Sequence, residues 1–407
     1  MPETKPIIYL NEAASAWPKA PGVTEAVAAE ISRPPAVRHA SGAPVRDVRA
    51  ECRERLARLL AVADPARVVL TAGATHGLNL GILGLHFPRG PRVVTSCAEH
   101  NSVLRPLCDL RERKRIHLRI VRLDAAGEID REAFSLSLRE GVSLVVLLHA
   151  SNVTGRVFDV GPLFAQAKEA GAITLLDASQ SLGHVAVHPE ELHADLVAFA
   201  GHRGLRGPVG TGGLYIAPHL DLAPRFMGAT GQQCDVTLQP REVPLCFEPG
   251  TPNLPVFAGL LAALRWWEEE GRACRQEADR LSELLLTGLR RLRSVSLYDV
   301  SRRVPRVPIL SCRLAGWGVL EAAQALQQEF GIYSRAGLHC APLIHKALGT
   351  RPEGTLRFSL SGLNTEAEIE TTLAAIRTLA ARRRQPHPPA PVRRPPTRPG
   401  ALARAAR

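Results

Sequence analysis

The stretch "AFAGHRGLRGPVGTGG", residues 198–213, decides how the rest of the chain is read. An apolar strand end runs into a histidine beside a basic residue, and the glycines that follow let the backbone come close to a ligand. That is the build of a cofactor loop at the carboxyl end of a strand. The basic residue is Arg203. A guanidinium stays protonated at neutral pH and its delocalised nitrogens are poor nucleophiles, so Arg203 does not supply the primary amine that such a loop can carry.

Working outward, seven short apolar runs surround this loop: "ARVVLTAGAT", "PRVVTS", "IHLRIVRL", "VSLVVLLHAS", "AITLLDASQS", "DLVAFAGH" and "GGLYIA". Several are apolar on both faces, and amphipathic segments such as "GPLFAQAKEAG" lie between them. The alternation predicts an α/β fold with a mainly parallel seven-stranded sheet covered by helices on both faces. After about residue 260 the rhythm changes. A long helix is expected in "GRACRQEADRLSELLLTGLRRLRS", short strands at "VSLYDV", "PILSCRL" and "TLRFSLSG", and a capped closing helix from "NTEAE". The expected organisation is an arm over 1–20 that contributes to the site, a large domain over 21–260, a smaller α+β domain over 261–380, and a tail over 381–407.

The 407 residues carry a net charge of +12, which at first suggests a nucleic-acid partner. The tail holds eight of the arginines and no acid, so it supplies two thirds of that excess. Its proline content and lack of apolar periodicity predict a disordered, solvated extension rather than a nucleic-acid surface. The opening residues "MPETKPIIYL" lack a basic region followed by an apolar core, and no run reaches the roughly 18 apolar residues of a membrane span, which predicts a cytoplasmic protein with no membrane partner. The eight cysteines show no CxxC spacing, so no metal site is expected and most should be reduced core thiols.

In an open parallel sheet, chemistry is sought at the carboxyl ends of the strands. There, "TAGATHGLNL" reads either as an anion cup at a helix start, with Ala74 and Thr75, or as an ordinary capped turn. "AEHNSVLRPL" puts His100 where an imidazole could lie over a flat ring or simply occupy a loop. Asp177 in "LLDASQS" could hold a pyridinium nitrogen protonated or cap a helix. Cys340, on its own, reads as a buried structural thiol.

In order along residues 7 to about 380, "IYLNEAASAWPK", "TAGATHGLNL", "AEHNSVLRPL", "HASNVTGRVFDV", "LLDASQSLGH", "FAGHRGLRGPVGTGGLYI", "EPGTPNLP", "RAGLHCAPLIHKALGT" and "GTLRFSLSGLNTEAEI" resemble the class V aminotransferase group. The likeness is to its cysteine desulfurase and selenocysteine lyase branch, which are fold type I pyridoxal-phosphate enzymes. The resemblance implies pyridoxal 5′-phosphate as cofactor, with Ala74, Thr75 and His202 at its phosphate, His100 on its ring, Asn152 and Gln180 near the ring oxygen, and Asp177 at the ring nitrogen. It implies that Arg357 clamps an amino-acid carboxylate beside Asn152, and that Cys340 takes sulfur from cysteine as a persulfide, leaving alanine. It further implies a homodimer in which Thr251 reaches the neighbouring subunit's phosphate, with a sulfur-acceptor protein as a further partner.

By the same resemblance Arg203 stands where the family keeps its Schiff-base lysine, so any bound cofactor is expected to be held without a covalent bond. Ala200, Glu12 and His76 depart from the usual hydroxyl, asparagine and glutamate. Three expectations follow: an amino-acid-processing enzyme with altered chemistry that uses another base such as His100 or His202, a noncatalytic paralogue serving as a sulfur-transfer partner or regulatory subunit, or an RNA- or partner-binding protein acting through its tail. Lys19 and Lys346, the lysines within matched motifs, are not expected to replace the missing amine.

Overall fold

A computed structural model describes residues 6–34, 47–86, 90–230, 235–299 and 304–382. The expected tail lies, from residue 383 onward, outside the described residues. In chain order the elements are β1 (Ile8–Tyr9), α1 (Val23–Ile31), α2 (Val48–Leu59), β2 (Val68–Thr71), α3 (Ala74–Gly84), β3 (Arg92–Ser96), α4 (Asn101–Glu112) and β4 (His117–Val121). Then come α5 (Arg131–Leu138), β5 (Leu144–Leu148), α6 (Gly161–Glu169), β6 (Ile173–Asp177), β7 (Leu196–Ala200), β8 (Gly212–Ile216) and α7 (Leu254–Arg290). The chain closes with β9 (Val295–Tyr298), β10 (Ile309–Leu314), α8 (Val319–Phe330), β11 (Ile332–Tyr333), β12 (Arg335–Gly337), α9 (Ile344–Ala347), β13 (Thr355–Ser359) and α10 (Glu366–Ala381).

The seven apolar runs form one sheet in the order β2-β8-β7-β6-β5-β3-β4. Only β8 is antiparallel to its neighbours β2 and β7. Side chains alternate across this sheet, because successive residues of a strand point to opposite faces. Val145 and Leu147 join Phe134, Phe164 and Leu264 on one side, while Leu144 and Val146 join Leu78, Val103 and Leu107 on the other. Each fully buried side chain of this size contributes about 1.5–3 kcal/mol. Burial on both faces leaves the strand ends as the place for polar groups.

A four-stranded antiparallel sheet, β12-β13-β10-β9, packs against α8, α10 and the second half of α7. Helix α10 carries the expected cap: Thr365 accepts from the Glu368 N–H, and the Glu368 carboxylate accepts from the Thr365 N–H. The long helix differs from expectation. It begins at Leu254, so the change of rhythm near residue 260 falls inside one continuous helix. Its first part, with Leu260 and Leu264, lies in the large core, and its later part, with Leu281 and Leu285, lies in the other. Pro255 is tolerated because the first turn needs no backbone donor there. The N-terminal arm threads between the two sheets: β1 pairs with β11, and the Ala16 N–H donates to the His202 carbonyl.

Candidate functional site

At the carboxyl ends of the central strands lies a cavity of about 160 Å³. Its lining includes Ala74, Thr75, His100, Asn152, Asp177, Gln180, Ala200, His202 and Arg203. Residues from five separate expected motifs therefore meet around one void. Gly73 (φ +141°) precedes α3, which no side chain caps, so the N–H groups of the first helical turn are left to whatever fills the cavity. The glycines after β7 serve close approach. A Cβ on Gly212 would stand 2.5 Å from the Phe199 carbonyl oxygen and 2.6 Å from the Gly73 Cα. Gly212 thus presses the Arg203 loop onto the helix start.

Asp177 ends β6 and accepts from the N–H of Ser179 at 2.9 Å and from the Ser179 hydroxyl. Thr75 Oγ1 and Ser102 Oγ lie 2.8 Å apart. His100 caps α4 through Nδ1, which accepts from the Ser102 N–H at 3.1 Å. That bond leaves the proton of the neutral ring on Nε2. Burial lowers the His100 pKa, with Arg203 acting in the same direction and Asp177 opposing it. For His202, burial and then Arg203 and Lys19 push the pKa down to about 4. Gln180 donates to the Ala13 carbonyl at 2.9 Å, and Asn152 donates to the His339 carbonyl at 2.7 Å.

Arg203 is half-buried and weakly held. Its only side-chain hydrogen bond among the described residues runs from Nη1 to the Ser179 carbonyl at 3.5 Å. Burial lowers its pKa, Asp177 and Cys340 oppose that, and Arg335 adds to it. The residues that line the cavity include no lysine. Lys19 instead donates to Ser15 Oγ at 3.0 Å, and Lys346 borders a different cavity.

Three expected site residues lie outside this lining. Thr251 is exposed on the segment before α7. Arg357 is 2% exposed on β13 and sits behind Asn152, donating from Nη1 to the Asn152 carbonyl at 2.8 Å and from Nη2 to Asn11 Oδ1 at 3.2 Å. It makes no ion pair among the described residues. Burial, then Arg335 and Arg203, push its pKa down to about 9, which leaves it cationic at neutral pH. Cys340, read in isolation as a buried structural thiol, is exposed. It follows His339 in a left-handed pair (φ +48° and +58°), and its carbonyl accepts from the Asn101 N–H at 2.7 Å. This turn carries the thiol away from the core and ties it to the start of α4.

The structure adds residues that motif reading missed. Glu12, noted in the sequence only as a departure, forms a buried ion pair with Arg206 at 3.0 Å that fastens the arm to the glycine-rich loop. Burial raises the Glu12 pKa to about 7 against the pull of Arg206. Glu99 is fully buried, accepts from Ser96 Oγ at 2.6 Å and from the Leu148 N–H at 3.1 Å, and has its pKa raised by burial to about 8.

His202 Nδ1, Asn152 Oδ1 and His76 Nε2 are buried atoms of lining residues without a hydrogen-bond partner among the described residues. Unpaired buried polar atoms are uncommon in native proteins. Together with the uncapped helix start and the Asp177 carboxylate, they fit a phosphorylated heteroaromatic cofactor.

The Aminotransferase class-V family model matches residues 8–372. A probable cysteine desulfurase of Methanothermobacter thermautotrophicus is 32% identical over 327 residues, covering 79% of this chain and 80% of the relative. An apo cysteine desulfurase structure from Thermococcus onnurineus NA1 superposes with a TM-score of 0.83 at 31% identity, covering 92% of this chain and 95% of that one. A cysteine desulfurase of Escherichia coli in an S-sulfonic acid form gives 0.81 at 27% identity, covering 91% and 94%. A family match over most of the chain, joined to the shared fold, places the chain in the pyridoxal-phosphate-dependent class-V aminotransferase family.

Proposed function

We propose that the protein is a cysteine desulfurase-like binder of pyridoxal phosphate that holds the cofactor without a covalent bond, its turnover lost or altered because Arg203 stands at the position of the family's lysine. The observation that carries this reading is a cavity lined by a guanidinium and by no lysine. Ala74, Thr75 and His202 would hold the phosphate, His100 would lie against the ring, Asn152 and Gln180 would flank the ring oxygen, and Asp177 would keep the ring nitrogen protonated.

When bound, the cofactor supplies an electron sink for the α-carbon of an amino acid. The chain's own groups then bind and orient. Arg357, buried without a carboxylate partner, suits the two-pronged recognition of an amino-acid carboxylate. Cys340, exposed near Arg203, would receive sulfur from cysteine or selenium from selenocysteine, a role its exposure supports. Arg203 neither attacks a carbonyl carbon nor accepts a proton at neutral pH. His100 carries its proton on Nε2, and His202 has a pKa near 4, so both are weak substitutes for an amine base. That weakness favours the second reading, a noncatalytic paralogue that binds ligand and serves as a sulfur-transfer partner or regulatory subunit.

The homodimer belongs to the same proposal. Phe226, Met227, Val236 and Leu238 are exposed apolar residues before Thr251, which supports burial against a second copy whose cofactor Thr251 would reach.

The test is an equilibrium titration with pyridoxal phosphate followed by dialysis, alongside assays of alanine and sulfide from cysteine. Saturable binding that dialysis reverses, with little or no turnover, is expected. No binding at high micromolar cofactor, or turnover at a rate that Arg203→Lys does not exceed, contradicts the reading.

A further inference from the structure

A second, far smaller cavity of about 20 Å³ lies against Arg203, bounded by the glycine-rich loop, the N-terminal arm and α7. Its volume suits one water molecule or one monatomic ion. Among the residues lining it are Arg203, Arg206, Trp267, Arg275, His184 and Glu12. Nε of Arg203, Nε of Arg206 and Nε1 of Trp267 are buried and have no hydrogen-bond partner among the described residues. All three are donors that cannot accept. The one carboxylate, Glu12, is already engaged by Arg206 at 3.0 Å and by the Trp17 N–H at 3.3 Å. Burial pushes the His184 pKa down to about 4, so this imidazole adds no positive charge at neutral pH. Three guanidinia therefore border this small void, with a single carboxylate among the lining residues. Arg206, at 3% exposure, is little screened by solvent, and its Nη1 and Nη2 are taken by Glu12 and the Pro18 carbonyl, which leaves Nε unpartnered.

We infer that this cavity is a binding site for a monatomic anion of the halide class, held by the unpartnered N–H groups of Arg203, Arg206 and Trp267. A water molecule would meet three donors while its own two hydrogens also needed acceptors, whereas a halide accepts from all three and balances the excess positive charge. Because Arg203 lines both cavities, an anion here sits against the same guanidinium that borders the cofactor cavity and offsets its charge. The site is separate from the cofactor chemistry and is tested on the protein without added cofactor.

The experiment titrates chloride into full-length protein at constant ionic strength in a gluconate buffer, so that general screening is fixed. It reads the ³⁵Cl NMR linewidth and the thermal midpoint, with Trp267→Phe and Arg275→Gln as comparisons. Expected are saturable broadening, displacement by bromide, and a midpoint that rises with chloride. Trp267→Phe should weaken chloride binding by roughly 3- to 10-fold, as the loss of one hydrogen bond predicts. Trp267→Phe keeps an aromatic ring in place, and Arg275→Gln provides a second variant should the first fold poorly. Broadening that grows linearly with chloride overturns the inference, as does equal saturation in wild type and both variants. A bromide-soaked crystal with only water in this cavity overturns it as well.

Discussion

Arg357 and Arg203 bring two guanidinia into one neighbourhood, one on a strand and the other on a loop. Arg357 belongs to β13, fixed in register between β10 and β12, and its two terminal nitrogens reach the Asn152 carbonyl and Asn11 Oδ1. Arg203 follows β7 on a turn set by backbone contacts, and its one side-chain hydrogen bond among the described residues is long. The strand region is built around its arginine, whereas the loop region is built around its glycines and accommodates an arginine. Residue 203 can therefore change chemistry while the loop keeps its shape, and residue 357 cannot.

Replacing each in turn should separate the two regions, and the strand should suffer more. Arg357→Ala leaves the Asn152 carbonyl and Asn11 Oδ1 without their partner and removes the proposed carboxylate clamp. We expect it to weaken amino-acid binding to cofactor-loaded protein by about 1.5–3 kcal/mol, roughly 10- to 150-fold, by calorimetry. Unchanged affinity would show that the carboxylate binds elsewhere. Gly212→Ala attacks the loop through its backbone. The added methyl meets the Phe199 carbonyl and Gly73, which should cost about 1–3 kcal/mol in chemical denaturation and loosen cofactor binding. A neutral result would mean that the loop is not held by this approach.

The histidines beside the two arginines sharpen the contrast with pH. Burial, followed by Arg357, pushes the His339 pKa down to about 2, against about 4 for His202. Both imidazoles stay neutral in the fold while the unfolded chain takes up protons below about pH 6.5. Their contribution to stability is therefore full above that pH and is lost as pH falls. Each adds up to about 1.4 kcal/mol per pH unit to the slope between its unfolded and folded values. His339→Gln should flatten the slope of unfolding free energy between pH 6 and 4 by about that amount, and an unaltered slope would contradict neutral burial. The smallest effect on stability is expected for Arg203→Lys, less than about 1 kcal/mol, because little holds the guanidinium now.

Local patterns made the sheet readable. Seven apolar runs became seven strands, since burial on both faces leaves a continuous signal, and the glycines and polar residues at strand ends marked the cavity that gathers Thr75, His100, Asp177 and His202. The start of α7 was hidden because residues 254–264 are apolar around much of the helix and open beside a proline, which masks the 3.6-residue period. The Glu12–Arg206 pair joins positions 194 residues apart, and no local spacing announces it. Glu99 read as one letter beside His100, because burial of a carboxylate depends on the strands that surround it. The exposure of Cys340 depends on two consecutive left-handed residues, neither of them glycine, so the sequence held no cue to that turn.

The most direct test of the central claim is borohydride reduction of the protein with pyridoxal phosphate, followed by peptide mass mapping of wild type and Arg203→Lys. The account predicts that wild type carries no reduced adduct on any peptide of the cavity. The variant should carry one reduced cofactor on the peptide containing residue 203. A stoichiometric adduct on a lysine of the wild-type protein would contradict the account, and so would an Arg203→Lys protein that binds the cofactor but cannot be trapped.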